Sequence, residues 1–251
     1  MLDTLGDRMK SYYEDRFRYY LPRNTYTIIR CDGCHFHNYT KNLNKPYDIG
    51  LMHDMNLTAK YLCENIQNVK MAFVQSDEIS LLLTDFDNIK TEAWFNGNIQ
   101  KMASVSASLA TAKLNSLRTE SLATFDSRCF ILPNIEEVKN YFIWRQKDCI
   151  RNSISMTAQS KFSHKILDGK SSGDKLFMLK EHHNIDYFND YPKGFIRGRC
   201  VVKEKIIMSA EYINKNGENI SVEGVERNIW NIYDALDFME NKEFLNQNIN
   251  L

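Results

Sequence analysis

A chain of 251 residues with 43% hydrophobic and 12% aromatic content can fill a sizeable core as one large or two small domains, which excludes a disordered polymer. Thirty-two Lys and Arg balance thirty-two Asp and Glu, so no global field gathers nucleic acid, and a polyanion partner has to be sought in local patches. With no N-terminal apolar run and no stretch of about 18 apolar residues a membrane partner is not expected, and six scattered cysteines suit a reduced, cytoplasmic protein.

From Leu2 to Tyr20, Met9, Tyr12, Tyr13, Arg16, Phe17 and Tyr20 recur in helical rhythm, predicting a helix packed on the body and stopped by Pro22 and Asn24. Tyr26 to Asp32 reads as a strand, with Gly33 free to expose its backbone oxygen beside Asp32. Cys34-His35-Phe36-His37 then forms a turn whose amides can lie against a phosphate or sugar. Cys31, Cys34, His35 and His37 look like part of a zinc knuckle, but structural zinc needs a second Cys or His pair at loop spacing, so zinc is rejected. Lys45-Pro-Tyr-Asp48 opens a helix to about Val69, with Met52, Met55, Ala59, Leu62, Ile66 and Val69 at spacings of three and four. Lys45, just outside it, is either a phosphate contact or a plain surface lysine.

Ala72 to Thr84 is the stretch around which the chain is organised: two apolar strands meeting at a polar tip, Gln75-Ser76-Asp77-Glu78. Such a tip is ordinary turn chemistry, or it is an edge holding two carboxylates. Adjacent acids on a fixed turn repel unless a cation or basic partner sits between them and a substrate. If this hairpin neighbours the first strand, Asp32 and Asp77 converge where hard carboxylates hold Mg²⁺ against a nucleoside triphosphate.

After Trp94-Phe-Asn-Gly97 a second long helix presents Ile99, Met102, Ser106, Leu109 and Ala110 on one face, and its small residues predict close packing on a sheet. Phe125 to Leu132 is a strand ending at Pro133, and Asn134 with Glu136 and Glu137 starts a third helix through Val138, Tyr141, Phe142 and Trp144. The order strand, helix, strand, strand, helix, strand predicts an α+β fold of ferredoxin-like topology, a split βαβ antiparallel sheet with helices on one face. Further on, Ser153 to Leu167 reads as a basic helix and Asp168 to Asp174 as a loop. Gly169-Lys-Ser171 there is no P-loop, since His164 stands where a glycine is needed. His182 and His183 read as surface residues, Gly194 to Met208 as a strand and Ile229 to Phe244 as helical. Seven Lys or Arg face three acids between Arg145 and Lys175, and five face one between Lys193 and Lys205; each is a solvated face or a polyanion surface.

Arg30-Cys-Asp-Gly-Cys-His-Phe-His37, Lys45-Pro-Tyr-Asp48, Gln75-Ser-Asp-Glu78, Ser106-Ala-Ser108 with Thr111-Ala112, Phe125-Asp-Ser-Arg128 and Trp144-Arg-Gln-Lys-Asp148 together resemble the tRNA-His guanylyltransferase family, the 3'-5' nucleotide-adding polymerases. The resemblance is dense from Leu2 to Asn152 and looser to about Lys205. It implies a polymerase-palm catalytic domain over 1–152 and a helical and strand extension over 153–251 for RNA binding and oligomerisation.

It further implies two Mg²⁺ ions held by Asp32, the carbonyl of Gly33, and Asp77, with Glu78 as the acid that supports the metal site. Asp32, Gly33, Cys34, His35, Phe36, His37, Ser76 and Asp77 would bind the incoming nucleotide, Lys45 would lie near the activated 5' end, and Lys101 would meet the triphosphate. ATP and GTP are the implied substrates: ATP adenylylates an RNA 5' monophosphate, the 3' hydroxyl of GTP or another NTP displaces AMP, and pyrophosphate is removed. A homotetramer is the usual assembly, with tRNA as partner. Arg145, Lys147, Arg151, Lys161 and Lys165 are the expected grip on RNA backbone.

Two departures matter. Ile150-Arg-Asn-Ser153 stands where the eukaryotic enzymes carry a His-Ile-Asn-Asn run tied to recognising the tRNA-His anticodon, and Gly97 and Asn98 stand where they carry an Arg pair in the triphosphate-binding stretch. Both are similar to the bacterial-type "like" proteins of the family, which implies templated 5'-end repair of truncated tRNA. Fixed addition of G to tRNA-His, and a palm-type nucleotide cyclase acting on free NTP, are the alternatives.

Overall fold

The computed structural model describes residues 5–249 apart from 214, 216 and 218. In chain order the elements are α1 (Gly6–Met9), β1 (Tyr26–Gly33), α2 (Phe36–Tyr39), α3 (Ile49–Asn65), β2 (Val69–Gln75), β3 (Glu78–Leu83), α4 (Ile99–Leu117) and β4 (Phe125–Leu132). They continue as α5 (Ile135–Gln159), α6 (His164–Leu167), α7 (Ser172–His183), α8 (Tyr187–Asp190), α9 (Lys193–Arg197), β5 (Arg199–Ile213), β6 (Asn219–Asp234) and α10 (Lys242–Ile249). Among the described residues the strands form one six-stranded sheet in the order β4-β1-β3-β2-β5-β6, and every neighbouring pair is antiparallel. Its first four strands with α3 and α4 are the expected split βαβ unit.

Alternation along the strands sends side chains to two faces. Ile29, Cys31, Ala72, Val74, Ile79 and Leu81 pack under α3 and α4, against Met55, Ala59, Leu62, Met102, Ala110 and Leu114. Ser106 and Ala110 are buried on the inner stripe of α4, and these small side chains let it lie close to the sheet. The expectation of helices on one face holds for these two palm helices. The other face, with Ile28, Met71, Phe73 and Leu82, is covered by α5 through Val138, Tyr141 and Phe142 and by Phe238 and Leu245 from the C-terminal segment. All six residues of β3 are buried, and cover from both sides explains its apolar stretch Leu81-Leu82-Leu83.

Several boundaries differ from expectation. α3 ends at Asn65, because Asn68 takes φ 65 and Val69 starts β2; Ile66 and Val69 stay in the same buried cluster, so their spacing mimics a helix. The N-terminal segment is helical from Gly6 to Phe17, through α1, a π turn and a 3-10 turn, yet Tyr12, Tyr13 and Phe17 are exposed rather than packed. It joins the body where the Tyr19 carbonyl accepts from the Ile99 N–H and Tyr20 bridges Asn98. The expected start at Leu2 lies outside the described residues.

α5 runs unbroken through 152 and 153, where two domains were expected to divide, and takes in Ser153 to Gln159, just under half of the separate helix expected from Ser153 to Leu167. α7 starts inside the expected loop, since Ser171 and Asp174 form a reciprocal capping box. Gly194 to Arg197 is helical, and Ile229 to Asp234 belongs to β6, because β5 and β6 pair from Arg199↔Asp234 out to Ile213↔Asn219. Long-range pairing overrides local spacing there. β5 joins the palm beside β2 from Met71↔Val202 to Val74↔Arg199. Gly198, at φ 84, permits that junction, since a Cβ would meet the Phe73 ring at 2.5 Å.

Candidate active site

The β1–β3 register ends at Cys31↔Ile79, so the next residues outward, Asp32 and the Asp77-Glu78 corner, share one end of the sheet. Ser76 and Asp77 form the two-residue turn between β2 and β3, with Ser76 exposed in the left-handed region at φ 45. A two-residue hairpin turn takes this left-handed conformation, at some backbone cost to a non-glycine residue. On the other side of β1, Asp32 is the register partner of Asp126 on β4. Asp126 was not among the expected site residues; its signal was the Phe125-Asp-Ser-Arg128 run, which places an acid beside Asp32 only once β4 is known to flank β1.

Four acids therefore meet at this end, and their electrostatics register it. Burial pushes the Asp77 carboxyl up to about 6, with repulsion from Asp32 and Glu78 adding to it, while hydrogen bonds from the Ser76 side chain and its own backbone oppose the rise. Asp32 is raised by burial first and then by Glu78 and Asp126, against the pull of Arg128 and Arg30. The Arg128 guanidinium lies 3.0 Å from Asp126 and 3.9 Å from Asp32, half exposed between them. The Cys34 thiol approaches Asp126 at 3.8 Å.

Glu78 is differently placed. Arg145 Nε and Nη2 donate to its two oxygens at 2.8 and 2.6 Å, Gln75 Nε2 donates at 3.0 Å and Ser80 Oγ at 3.3 Å. Tyr141 hydroxyl shares a 2.8 Å hydrogen bond with Ser80, and Arg30 Nε stands 4.0 Å from Glu78 with no hydrogen-bond partner among the described residues. Glu78 is thus a buried, neutralised carboxylate, unlike its neighbour Asp77. The same contacts correct the reading of Arg145 as an RNA-backbone contact. It is 6% exposed and turned inward, because a bidentate carboxylate partner offers its fork more than solvent does.

The Cys34–His37 turn follows directly beyond Asp32. Gly33 is required there, since a Cβ would lie 2.2 Å from the Phe36 ring. Phe36 packs against Tyr39 and Phe125 in the core, so its side chain is not available to a nucleotide, contrary to expectation. His35, at φ 55, and His37 are exposed and Cys34 is half-buried. Lys45 is exposed, and its ammonium donates to the Thr40 carbonyl at 2.9 Å.

Lys101 is not brought to the acids. It sits on the first turn of α4 in a groove of about 320 Å³ lined by Arg18, Tyr20, Phe95, Asn96 and Asn98. That groove adjoins the approach to β1, where Leu21 N–H donates to the Gly97 carbonyl, whereas Asp32 closes the far end of the strand. Six strand steps put roughly 20 Å between the two ends. Lys147, Arg151, Lys161 and Lys165 are all exposed along or just after α5, with Arg151 paired to Asp148.

Among the described residues, no group of three or more His, Cys, Asp or Glu side chains is arranged to hold a metal ion. Mg²⁺ makes a different demand, since it is commonly held by one or two carboxylates with substrate phosphates and water completing its shell. Asp32 and Asp77, two hard oxygen donors whose burial and mutual repulsion favour a bound cation, fit that demand. No helix among the described residues is long and apolar enough to cross a membrane.

Residues 6–133 match the family model described as tRNAHis guanylyltransferase. The tRNA(His) guanylyltransferase of Debaryomyces hansenii is 31% identical over 212 residues, covering 76% of this chain and 77% of that protein. A bacterial tRNA(His) guanylyltransferase-like protein solved in complex with ATP superimposes with a TM-score of 0.84 at 41% identity, covering 98% of each chain. Such a protein in complex with GTP gives 0.81 at 40% identity, covering 99% of this chain and 100% of that one.

Proposed function

The chain belongs to the tRNAHis guanylyltransferase family, and on that premise we propose that this nucleotidyltransferase adds nucleotides in the 3'-5' direction to the 5' end of tRNA, as templated repair of truncated ends. The observation that carries the reading is the meeting of Asp32 and Asp77 at one end of a palm sheet, with Glu78 withdrawn into its bond with Arg145. In the sequence we assign, ATP adenylylates the RNA 5' monophosphate with release of pyrophosphate. The 3' hydroxyl of an incoming nucleoside triphosphate then attacks the activated phosphate and AMP leaves, and the triphosphate on the added nucleotide is trimmed to a new 5' monophosphate. GTP and ATP are substrates in this scheme.

Asp32, the Gly33 carbonyl and Asp77 would hold two Mg²⁺ ions, which when bound supply a more acidic attacking hydroxyl and neutralise charge on the leaving group. Ser76 and the backbone and polar side chains of Cys34 to His37 lie beside these acids and orient the nucleotide. Lys45, on the loop after α2, is assigned to the activated 5' end. Glu78 is assigned no direct part in the reaction; its bonds to Arg145, Gln75 and Ser80 hold the shape of the turn. Lys147, Arg151, Lys161 and Lys165 supply an exposed cationic face for RNA backbone, which suits an enzyme that accepts several tRNAs. Residues 153–251 are assigned to RNA binding and to assembly as a cytoplasmic homotetramer.

Two observations favour repair over fixed G addition. Of the four residues at the position of the eukaryotic anticodon-linked run, Ile150 packs on the cluster around Tyr187 and Phe195, and Ser153 shares a hydrogen bond with the Tyr187 hydroxyl, so half of the run faces inward. The likeness to the bacterial-type proteins, 41% identical, also exceeds that to the Debaryomyces hansenii enzyme, 31% identical.

The test is addition to a 5'-monophosphorylated tRNA lacking its first nucleotide, with ATP, Mg²⁺ and each NTP in turn, while the opposing acceptor-strand base is varied. The added base is expected to track the opposing base. Addition of G whatever lies opposite would make this a fixed guanylyltransferase, and conversion of free NTP without RNA would make it a cyclase.

A further inference from the structure

We propose that Arg145 is a positioning residue that fixes the Ser76–Asp77 turn through Glu78, an inference that rests on reading Asp32 and Asp77 as the metal-holding acids. Glu78 immediately follows Asp77, and its carboxylate is buried at the base of the turn. A buried anion beside two other acids is costly unless a cation meets it with good geometry. Arg145 does so with two parallel bonds of 2.8 and 2.6 Å, which fix the plane of the carboxylate as well as its charge. Gln75, on the other flank of the turn, donates to the same Glu78 oxygen at 3.0 Å. Both ends of the turn therefore converge on one carboxylate, and a left-handed Ser76 is held between them.

Arg145 is itself immobilised. Asp148 accepts from its Nη2 at 3.0 Å, and the Trp144 ring lies 4.5 Å from its guanidinium. The next residue anchors the helix in another direction: Gln146 donates to the Leu236 carbonyl at 2.7 Å and accepts from the Phe238 N–H at 2.8 Å. α5 is thus tied to the palm hairpin by one residue and to the chain after β6 by the next, and it carries Arg145 as a fixed peg. Groups that hydrogen-bond a metal ligand typically change metal affinity by about 10- to 100-fold when altered; Arg145 acts one residue further out, through the Glu78 that follows Asp77, so the lower end of that range applies.

The experiment uses the full chain with Mn²⁺ and GTP as direct binding probes, read beside tRNA affinity and melting temperature. Arg145→Lys keeps the charge but loses the fork, and it is expected to weaken Mn²⁺ binding by about tenfold or more, with tRNA affinity changed less than about twofold. A combined Arg145→Met and Glu78→Leu variant replaces the ion pair with apolar contact, so it is expected to fold; its Mn²⁺ affinity should remain as low, and recovery to the wild-type value would reduce the pair to a structural one. Mn²⁺ binding lost in Asp77→Ala but unchanged in Arg145→Lys overturns this proposal alone, as does weakened tRNA binding with metal affinity intact. Binding that survives Asp77→Ala overturns the metal reading and the proposal together.

Discussion

Asp77 is held by the fold in a form that disfavours its charge. Its carboxyl sits near 6 because of burial, with Asp32 and Glu78 adding repulsion, so the folded state binds its proton more tightly than the unfolded chain does. Between the ordinary carboxylate range and about pH 6 the folded state carries the extra proton, and the contribution of this group to stability falls as pH rises through that window. In metal-free protein, Asp77→Asn should therefore melt higher than wild type at pH 7.5, by about 2 to 4 °C for each kcal/mol relieved, with the difference vanishing near pH 4. Equal melting at both pH values would mean that Asp77 is solvated. The same substitution should lower nucleotide transfer by about 10³-fold if Asp77 holds a reacting group, and full activity would remove it from the chemistry. Asp32 and Asp77 were legible from the sequence because each lies at a strand end beside glycine or turn residues. The role of Arg145 was not legible, because its partner is 67 positions away and basic residues near a helix surface read alike.

At the scale of elements, the palm order of strands and helices follows from local periodicity, caps and punctuation, all of which act over a few residues. Asn134 caps α5 through the Glu137 N–H, as the Asn-x-x-Glu spacing indicates. The segment after α9 defeats such reading, because Ile229 to Asp234 satisfies helical spacing while its backbone partners lie in β5. Gly198 is where β5 enters the sheet. Gly198→Ala would push a methyl into the Phe73 ring and the Val74 carbonyl at a left-handed φ, and is expected to cost about 1 to 3 kcal/mol. Hydrogen exchange should then show Arg199 to Val202 and their β2 partners opening while β1 and β3 stay protected. Uniform opening of all six strands would mean that the palm and the extension fold as one unit, leaving no energetic boundary at 152.

The whole molecule has zero formal net charge, so any salt dependence of RNA binding has to come from a local face. If Lys147, Arg151, Lys161 and Lys165 meet phosphates, log affinity for tRNA should fall with log salt at a slope of about −3, and removing Lys161 and Lys165 together should reduce that slope by about 2. A salt-independent affinity would remove this face from RNA binding. The sequence by itself determined the elements of the palm, the strand-end positions of Asp32 and Asp77 and the family, because these are written in spacings along single segments. Only the tertiary structure decided that Glu78 is taken up by Arg145, that Asp126 stands opposite Asp32, that Phe36 is core and that Lys101 lies at the far end of β1. Each of these depends on strand register and on which face a distant helix covers, and burial against remote partners, rather than local spacing, sets both.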